Sequence, residues 1–354
     1  MSTDIPIILA KDLGIPNFPQ PRRQDWRIGM VGFGGIARAH AKAYQENGWK
    51  IEAVADPDPS ARREAVEKFG VTKVYEDYAE LIEDAEVEVI DLLTQPTLRL
   101  PVVREAMKAG KPLITEKPLG TSIEECLSMV ELAESAGVPF AVHQNYRWYR
   151  NSYLAHHLIT QGLIGKPYYM SVEIQGTQDV MLADHPFYST CPDFLTIQWN
   201  NHIADLFRFW SGRDASRVWV KTSRMEGQHF VSDNLMLGIS EFGPGLTGHI
   251  VHNELLRSSK EGVFCRVEGS EGTLLFDFHD EIIIDSRLIS TGERRVDSSG
   301  LHMPPSFCAT MGDFLSAIED SRSPMVTAKS NLHTIRTNLA EHQSALEGGS
   351  WIEV

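Results

Sequence analysis

The sequence predicts an α/β protein of two domains, a doubly wound parallel sheet followed by an α+β domain with an antiparallel or mixed sheet. The chain has 354 residues, which suggests about two domains at roughly 150 residues each. From residue 26 to residue 146, short apolar strands alternate with helical stretches, and this alternation is typical of parallel βαβ units. From residue 147 to residue 354, several strand-like runs follow one another without helices between them, which favours the α+β class.

The first domain is expected to begin after an N-terminal arm. Residues 1–25 contain four prolines and no periodicity, which indicates an extended segment. The predicted strands of the domain are Arg27–Val31, Lys50–Ala55, Val87–Leu93, Pro112–Thr115 and Pro139–Val142. The predicted helices are Ile36–Glu46, Ser60–Phe69, Pro101–Ala109 and Ser122–Ala136. Ser122 with Glu125 forms a capping-box pattern at the start of the last of these helices.

The second domain contains two helical stretches around one strand, then a series of strands, then two closing helices. The first helices are Tyr153–Gln161 and Phe194–Trp210, on either side of the strand Pro167–Gln175. The later strands are Arg217–Thr222, Asn234–Glu241, Thr247–His252, Val263–Gly269, Thr273–Phe278 and Glu281–Asp285. The closing helices are Ser306–Asp320 and Asn331–Leu346.

Composition excludes several classes of protein. Lys plus Arg number 33 and Asp plus Glu 48, so the net charge is −15, which argues against nucleic acid as a partner. No apolar run is long enough to span a membrane, and the N-terminus is a poor secretory signal, so we expect a cytoplasmic protein. The four cysteines form no C-x-x-C pair, which favours reduced thiols over a disulfide frame or a metal cage. We expect no metal.

A glycine-rich turn follows the first predicted strand and opens the first helix. In this G-x-G-x-x-A pattern Gly32 makes the tight turn, Gly34 lets a diphosphate approach the backbone, and Ala37 allows close packing of helix on sheet. Gly35 and Ile36 lie at the helix N-terminus, where unpaired N–H groups bind phosphate. Asp56 ends the second strand, where a carboxylate accepts hydrogen bonds from ribose hydroxyls. No arginine adjoins Asp56 in sequence, so NAD is favoured over NADP; a plain turn without a dinucleotide is the alternative.

A second cluster, T-E-K-P-L-G at 115–120, follows the fourth strand. Ligands of open α/β sheets bind outside the carboxyl ends of the strands, which places Lys117 at the crevice. A lysine on a short loop there can hold a substrate hydroxyl and stabilise negative charge that develops on its oxygen. A solvated surface lysine is the other interpretation of the same residue.

Taken together, these motifs resemble the Gfo/Idh/MocA family of oxidoreductases. The resemblance rests on G-F-G-G-I-A-R-A-H at 32–40, A-D-P-D at 55–58, E-K-P-L at 116–119 and H-I-A-D-L-F-R-F-W-S-G at 202–212, in matching order. It extends to G-S-E-G-T-L at 269–274 and to the final helix. It implies an N-terminal Rossmann domain, a C-terminal domain with a large open sheet that serves as an oligomer interface, and nicotinamide-dependent chemistry on sugars or polyols. A homodimer or homotetramer is therefore expected.

The resemblance also implies a catalytic set. The family's E-K-P lysine corresponds to Lys117 and the histidine of its D-x-x-x-H pair to His202, but the aspartate position holds Gln198. Residues four apart share one face of an α-helix, so Gln198 and His202 are expected to face the same substrate. Glutamine carries no charge, so His202 would be a weaker base and Lys117 would carry more of the proton transfer. Asp205 is expected to anchor the helix.

Further site residues are expected on both domains. Thr94 and Pro96 match the family's cofactor-lining turn, and a histidine common shortly after it is replaced, with Leu100 near that position. Glu116, Lys117 and Gln144 are expected near the cofactor as well. For the substrate, the candidates are Asn145, Arg147, Asp184, His185 and Trp199. His249 and His252 are more readily explained by packing.

These observations leave three functions open. The first is an NAD-dependent oxidoreductase that acts on a hydroxyl of a sugar, sugar acid or cyclic polyol. The second is a redox-neutral enzyme that holds NAD tightly and cleaves a glycosidic bond, for which the uncharged Gln198 leaves room. The third is a non-catalytic regulator that senses a sugar or NAD, against which the presence of Lys117 and His202 speaks.

Overall fold

A computed structural model describes residues 5–185, 187–289 and 292–354 of the chain. The described residues form two compact units. One, the parallel-sheet unit, consists of Phe18–Trp148 and His302–Ile335; the other, the open-sheet unit, consists of the residues up to Asn17, Tyr149–Leu301 and Arg336–Val354. The domain boundaries at 25/26 and 146/147 stay predictions.

The parallel-sheet unit is built on six parallel strands. In spatial order they are Lys73–Tyr75, Lys50–Ala55, Arg27–Val31, Val89–Leu92, Leu113–Glu116 and Phe140–His143. The order reverses between the central strands, which is the doubly wound arrangement expected from the alternating pattern. The prediction missed only the short edge strand Lys73–Tyr75, whose three residues are too few to give a periodic signal.

Helices cover this sheet. They are Gly35–Glu46, Pro59–Phe69, Tyr78–Glu83, Arg99–Lys108, Ile123–Ala136 and Ser306–Asp320, with 3₁₀ turns at Pro96–Leu98 and Asn145–Trp148. The Ser122 side chain accepts a hydrogen bond from the Glu125 N–H at 3.2 Å, which confirms the predicted cap. Apolar side chains of the first helix, including Tyr44, pack with Ile28, Met30 and Phe314 in one buried core.

The open-sheet unit contains a mixed, mostly antiparallel sheet in which ten strands are described. In spatial order they are Ile7–Leu9, Glu293–Asp297, Ile282–Ser286, Gly272–Phe276, Gly262–Gly269, Pro167–Gln175, Thr247–Asn253, Leu235–Glu241, Arg217–Ser223 and Trp351–Glu353. Two neighbouring pairs are parallel and the others antiparallel. The predicted α+β class with a large open sheet is confirmed.

Both ends of this sheet differ from the prediction. The expected arm 1–25, whose first four residues lie outside the described part, contributes the strand Ile7–Leu9, which pairs in parallel with Glu293–Asp297. A 3₁₀ turn, Ala10–Leu13, comes next. At the opposite edge the C-terminal Trp351–Glu353 pairs with Arg217–Ser223. Three-residue edge strands gain their stability from the partner strand, so their own sequence does not predict them.

The helices of the open-sheet unit include one irregular segment. Regular helices are Arg150–Thr160, Gln178–Met181 and Asn201–Ser211, and the last helix of the chain, Ala328–Leu346, begins in one unit and ends in the other. The predicted helical stretch Phe194–Trp210 consists of two segments. Phe194–Trp199 is a π-helical turn, after which the Asn200 N–H donates to the Leu195 carbonyl at 2.9 Å, and the α-helix Asn201–Ser211 follows. Such turns are frequent at functional sites.

The four cysteines, Cys126, Cys191, Cys265 and Cys308, are free thiols and buried, as the sequence predicts. Burial raises the pKa of the Cys126 thiol to about 12, so it stays protonated. Within the described ranges, no helix has the length and apolar character needed to cross a membrane.

Ser344 joins the last helix to the sheet. Its hydroxyl oxygen accepts a hydrogen bond from the Val220 N–H at 2.7 Å, and the hydroxyl donates to the Ser350 carbonyl. The C-terminal strand pairs with residues 217–219 only, so Ser344 satisfies the next N–H along the strand. Buried backbone N–H groups that lose their partner are costly.

We therefore expect Ser344→Ala to lower the free energy of unfolding by about 1–3 kcal/mol, because it leaves the Val220 N–H buried without an acceptor. Urea unfolding followed by circular dichroism measures the change. Ser128→Ala, which removes an exposed hydroxyl from another helix, is the control and should alter stability by less than about 0.5 kcal/mol. Equal stability of Ser344→Ala and the wild type would contradict this role.

Candidate active site

The glycine turn has the geometry that its motif predicts. Gly32 adopts a φ of +89°, and a Cβ there would lie 3.1 Å from the backbone carbon of Leu93, so only glycine fits. A Cβ on Gly34 or Gly35 would meet no atom of the protein within 4 Å. The turn is therefore tight at its first glycine and open at the next two. Ile36, the next residue, is exposed at the start of the helix.

Among the described residues, no side chain caps the N-terminus of the helix Gly35–Glu46. Its first N–H groups are therefore available to an anion, and the helix dipole favours one. Asp56 lies at the end of the neighbouring strand, where its Oδ2 accepts a hydrogen bond from the Phe33 N–H at 2.7 Å. Its Oδ1 accepts from the Asp58 N–H at 2.8 Å. Turn, helix N-terminus and carboxylate thus lie together at the carboxyl edge of the parallel sheet.

The structure corrects one expectation about this edge. Arg62, six residues beyond Asp56, folds back so that its Nη1 donates to the Asp56 carbonyl at 2.6 Å. An arginine therefore does lie beside Asp56, although none adjoins it in sequence, because the helix Pro59–Phe69 returns its first turn towards the strand end. Its Nη2 lies 3.6 Å from a carboxylate oxygen of Glu76, which balances its charge.

Thr94 and Pro96 lie on the turn after the next strand. The Thr94 hydroxyl oxygen is buried and has no hydrogen-bond partner among the described residues, while Pro96 is buried in a 3₁₀ turn. The Thr94 carbonyl accepts hydrogen bonds from Nη2 and Nε of Arg99 at 2.9 and 3.2 Å. Arg99 is 2% exposed. The sequence interpretation did not identify it, although it named the next residue, Leu100.

Glu116 and Lys117 lie at the end of the strand Leu113–Glu116. The Lys117–Pro118 peptide bond is cis. The Glu116 Oε2 accepts a hydrogen bond from the Lys117 N–H at 3.0 Å, and its Oε1 accepts from His40 Nε2 at 3.1 Å. Burial is the main cause that lowers the pKa of the half-buried Lys117 to about 8. The charge of Glu116 raises this pKa, and the charge of Arg99 lowers it further. Lys117 thus has the acidity expected of an acid–base group near neutral pH.

Behind Glu116 lies a buried network centred on Asp91. Its carboxylate accepts hydrogen bonds from His40 Nδ1 at 3.0 Å, Tyr44 Oη at 2.7 Å and His143 Nε2 at 3.0 Å. Burial disfavours the charged form of His40, but Asp91 and Glu116 outweigh burial and raise the pKa of His40 to about 9. His40 is therefore an imidazolium at neutral pH, placed between two carboxylates.

His40, Asp91 and His143 also form the one group of potential metal ligands that the described residues contain, with ligand atoms within 4.8 Å of one another. Their atoms are engaged in hydrogen bonds to each other, so the arrangement is that of an ion-paired network. The sequence interpretation did not identify it, because His40, Asp91 and His143 lie on a helix and two different strands.

The predicted residues Gln144, Asn145 and Arg147 are all buried in the parallel-sheet unit. Asn145 Nδ2 donates to Ser306 Oγ at 3.3 Å, and the Arg147 N–H donates to the Gln144 carbonyl at 3.2 Å. Trp148 contacts Phe18 edge to face, with 5.4 Å between ring centroids.

Gln198 and His202 belong to the open-sheet unit. Gln198 is in the π-helical turn and His202 is in the first turn of the following α-helix. That the two side chains face the same substrate stays a prediction. His202 is 6% exposed and Gln198 is half-buried. Asp205 is buried, with Oδ1 3.9 Å from Arg208 Nη1.

Trp199 lies between two histidines. Its ring contacts His202 at 5.9 Å and His252 at 4.7 Å between centroids, both edge to face, and its Nε1 donates to Gln178 Oε1 at 3.1 Å. His252, expected to serve packing, is fully buried and its Nε2 lies 2.7 Å from Glu254 Oε1. These contacts hold the half-buried indole in one position beside His202.

Asp184 and His185 are exposed on a loop of the same unit. The His185 ring lies 4.4 Å from that of Tyr188, and its Nδ1 accepts a hydrogen bond from the Tyr188 N–H at 3.4 Å. Asp179, which the sequence interpretation missed, is fully buried nearby in sequence and accepts hydrogen bonds from His229 and Asn234 side chains at 3.0 and 2.8 Å. The structure thus shows Asp179, not Asp184, as the anchored carboxylate of this region.

Glu341 supports the π-helical turn from the last helix. It is 2% exposed, and Asn200 Nδ2 donates to its Oε2 at 2.6 Å. Burial raises the pKa of Glu341 from 4.5 to about 8. Hydrogen bonds from Asn200, Asn338 and Ser240 lower this pKa but do not outweigh burial. The folded protein therefore retains a proton that the unfolded chain releases above about pH 4.5, so this group's contribution to stability falls as pH rises from 4.5 to 8.

We expect Glu341→Gln, which keeps the shape and stays neutral, to raise the melting temperature relative to wild type by roughly 5 °C or more at pH 8.5 and by little at pH 5. Thermal unfolding across this pH range measures the difference. Glu347→Gln, an exposed change just after the same helix, should give a difference that does not vary with pH. A pH-independent difference for Glu341→Gln would show that Glu341 is ionised throughout.

Part of the chain matches a known family. Residues 26–144 match the Gfo/Idh/MocA family, described as an oxidoreductase family with an NAD-binding Rossmann fold. D-apiose dehydrogenase of Paraburkholderia graminis is 25% identical over 336 residues, which is 90% of this chain and 87% of that protein. Myo-inositol 2-dehydrogenase of Thermotoga maritima is 31% identical over 198 residues, 56% of this chain and 58% of that protein.

Solved structures share the fold along nearly the whole chain. An oxidoreductase from Agrobacterium radiobacter, in complex with NAD⁺, L-tartaric acid and magnesium, has a TM-score of 0.84 at 20% identity and covers 93% of this chain and 98% of its own. Levoglucosan dehydrogenase in complex with NADH and levoglucosan has a TM-score of 0.81 at 21% identity, over 94% of this chain and 100% of its own.

The fold, the open glycine turn and the match of residues 26–144 all indicate the same kind of domain. The expectation of a Rossmann domain of the NAD-binding type is confirmed. Residues 26–144 of this chain match the Gfo/Idh/MocA family of oxidoreductases, whose Rossmann fold binds NAD.

Proposed function

We propose that this protein is an NAD-dependent dehydrogenase that transfers hydride between nicotinamide and a hydroxyl of a sugar, sugar acid or cyclic polyol. The observation that carries the proposal is Lys117, a half-buried lysine with a pKa of about 8 at the same sheet edge as the open glycine turn. The names of the relatives support the substrate class, since they include dehydrogenases of D-apiose, levoglucosan and inositol.

The residues of the parallel-sheet unit fit a dinucleotide. The space in front of Gly34 and Gly35 and the uncapped helix N-terminus suit a diphosphate. Asp56 ends the second strand, where a carboxylate suits ribose hydroxyls, and the unpartnered Thr94 hydroxyl offers a further polar contact. Because Asp56 would repel a 2′-phosphate and Arg62 is balanced by Glu76, the set favours NAD over NADP.

Lys117 would act as the proton acceptor in the oxidative direction. Bound NAD supplies a two-electron acceptor, which takes the hydride from the carbinol carbon. The unprotonated Lys117 amine takes the hydroxyl proton, so a C–H and an O–H bond break as the carbonyl forms. Glu116 holds the Lys117 backbone in place through its 3.0 Å hydrogen bond. In the reductive direction the Lys117 ammonium returns the proton.

His202, Gln198 and Trp199 would bind the substrate. His202 and Gln198 each offer hydrogen bonds to hydroxyl groups, and the fixed indole of Trp199 offers an apolar face to a sugar ring. Asn145, Arg147 and Gln144 are proposed as polar contacts in the parallel-sheet unit. Asp184 and His185 are exposed, so we assign them at most the rim of the substrate site.

We further propose that the protein assembles as a homodimer or homotetramer through the open sheet. One face of the sheet packs on helices. On the other face Leu237, which is 41% exposed, lies opposite Val251, and Phe264, which is 56% exposed, lies opposite Glu173. Large apolar side chains exposed on an open sheet suit an interface. The cytoplasmic location stays a prediction.

The glycine turn can be tested without a substrate. We expect Gly34→Ala to keep the wild-type melting temperature, since its Cβ meets no protein atom, and to weaken NADH binding by roughly tenfold or more, because the methyl group fills the space of the diphosphate. NADH fluorescence titration measures affinity. Gly32→Ala is the contrast: its positive φ should make it lose stability. Unchanged NADH affinity in Gly34→Ala would contradict the assigned cofactor site.

Lys117→Met should leave NADH affinity within about threefold of wild type and reduce turnover by roughly 10²–10⁴, since it removes the proton acceptor. Turnover with added NAD is measured on D-apiose, myo-inositol and levoglucosan, the substrates that the relatives' names suggest. In the wild type the rate of oxidation should rise with pH through about 8, as Lys117 loses its proton. Lys108→Met, an exposed change, is the control.

Two results would contradict the proposal. One is near-normal turnover in Lys117→Met. The other is turnover that needs no added NAD together with stoichiometric NAD released on denaturation, which would instead indicate a redox-neutral reaction.

A further inference from the structure

Arg99 joins two turns at the carboxyl edge of the parallel sheet. It is the first residue of the helix Arg99–Lys108 and is 2% exposed. On one side its Nη2 and Nε donate to the Thr94 carbonyl at 2.9 and 3.2 Å. On the other side its Nη1 donates to the carbonyls of Glu116 and Pro118, the two residues that flank Lys117. One planar group therefore connects the Thr94 turn with the Lys117 loop.

Arg99 is a buried cation, and this charge distinguishes its role from that of a side chain that only fills space. Burial lowers the pKa of its guanidinium to about 10, and Glu116 opposes that effect, so the group remains a cation at neutral pH. All its described hydrogen bonds go to backbone carbonyls, and none goes to a carboxylate. Holding a cation in the interior is costly unless its donors are well satisfied. The planar guanidinium donates hydrogen bonds to three backbone carbonyls. A lysine ammonium cannot reach all three from one position.

The groups around Lys117 define its electrostatic surroundings. Glu116 lies on the same loop, and Arg99 approaches from the neighbouring helix. Behind Glu116 are His40 and His143, which bind Asp91, and Glu125 and Cys126 from the helix Ile123–Ala136 act on Arg99. Among these groups, Arg99 is the cation that acts directly on Lys117 and also holds the loop on which Lys117 lies.

We propose that Arg99 is a positioning residue, which holds the Lys117 loop in register with the Thr94 turn. The positive charge that it brings to this loop also favours the unprotonated form of Lys117. This inference rests on the proposed function of Lys117 as the proton acceptor. Its two parts are separable. The hydrogen-bonded fork sets geometry, and the positive charge sets the proton affinity of the neighbouring amine.

Two substitutions separate geometry from charge. Arg99→Lys keeps the charge and loses the fork, whereas Arg99→Met loses both. We expect both variants to lose roughly 10- to 100-fold in kcat, because a misplaced acid–base group is costly to the rate. In Arg99→Lys the acidic limb of the pH profile of kcat/KM for oxidation should stay near its wild-type position. In Arg99→Met it should move to higher pH by up to about one unit, since a nearby cation no longer disfavours the ammonium.

The experiment measures kcat, KM and the pH profile between pH 6 and 10, with active sites counted by NADH fluorescence titration. NADH affinity itself is the readout that does not depend on turnover: it should weaken about threefold or more in both variants as the Thr94 turn loosens. Arg104→Lys and Arg104→Met, at an exposed arginine on the same helix, are the matched controls and should resemble the wild type. If Arg99→Met does not fold, Arg99→Gln supplies the neutral variant.

Several outcomes would overturn the inference. One is a wild-type kcat per active site and an unmoved acidic limb in Arg99→Met, even with a lower melting temperature, because this combination marks a purely structural residue. Another is equal limb shifts in Arg99→Lys and Arg99→Met. Failure of the proposed function is recognised separately, since Lys117→Met would then keep turnover in the presence of an intact Arg99.

Discussion

The carboxyl edge of the parallel sheet depends on charged groups that are buried and must therefore solvate one another. His40 is an imidazolium between the carboxylates of Asp91 and Glu116, and Arg99 places a second cation on the carbonyls around Lys117. Each of these charges would be costly alone. Together they fix the strand ends, the Thr94 turn and the Lys117 loop in one arrangement. Removal of one partner leaves the others uncompensated, so the edge behaves as a unit.

The open-sheet unit uses the same principle with different residues. Asp179 is fully buried and accepts hydrogen bonds from His229 and Asn234, and Glu254 is buried against His252. The His252 ring in turn holds the edge of Trp199, which lies beside His202. Buried, hydrogen-bonded carboxylates thus fix the loops and the aromatic ring that we assign to the substrate. In both units rigid positions come from satisfied polar groups as well as from apolar packing.

The sequence predicted most of the features that depend on local pattern. Strand and helix periods identified both classes of sheet, and short motifs identified the Ser122 cap and the turn at Gly32. The sequence did not predict elements whose formation depends on partners distant in the chain. Ile7–Leu9 pairs as a strand with Glu293–Asp297, and Asn200, directly after the π-helical turn Phe194–Trp199, is bonded to the buried Glu341, which lies 141 residues away in sequence. Arg99 was missed because nothing in the sequence shows that a basic residue at a helix start is buried.

By itself, the sequence determined the doubly wound sheet and the open glycine turn, and it indicated the family resemblance and the candidate lysine, because each depends on residues close in the chain. The tertiary structure alone decided how those residues are charged and held. His40 is kept protonated by Asp91 and Glu116, which lie 51 and 76 residues away in sequence, and Arg99 reaches Glu116 and Pro118 across 17 and 19 residues. Proton affinity depends on burial and on neighbours in space, and only the folded chain sets both.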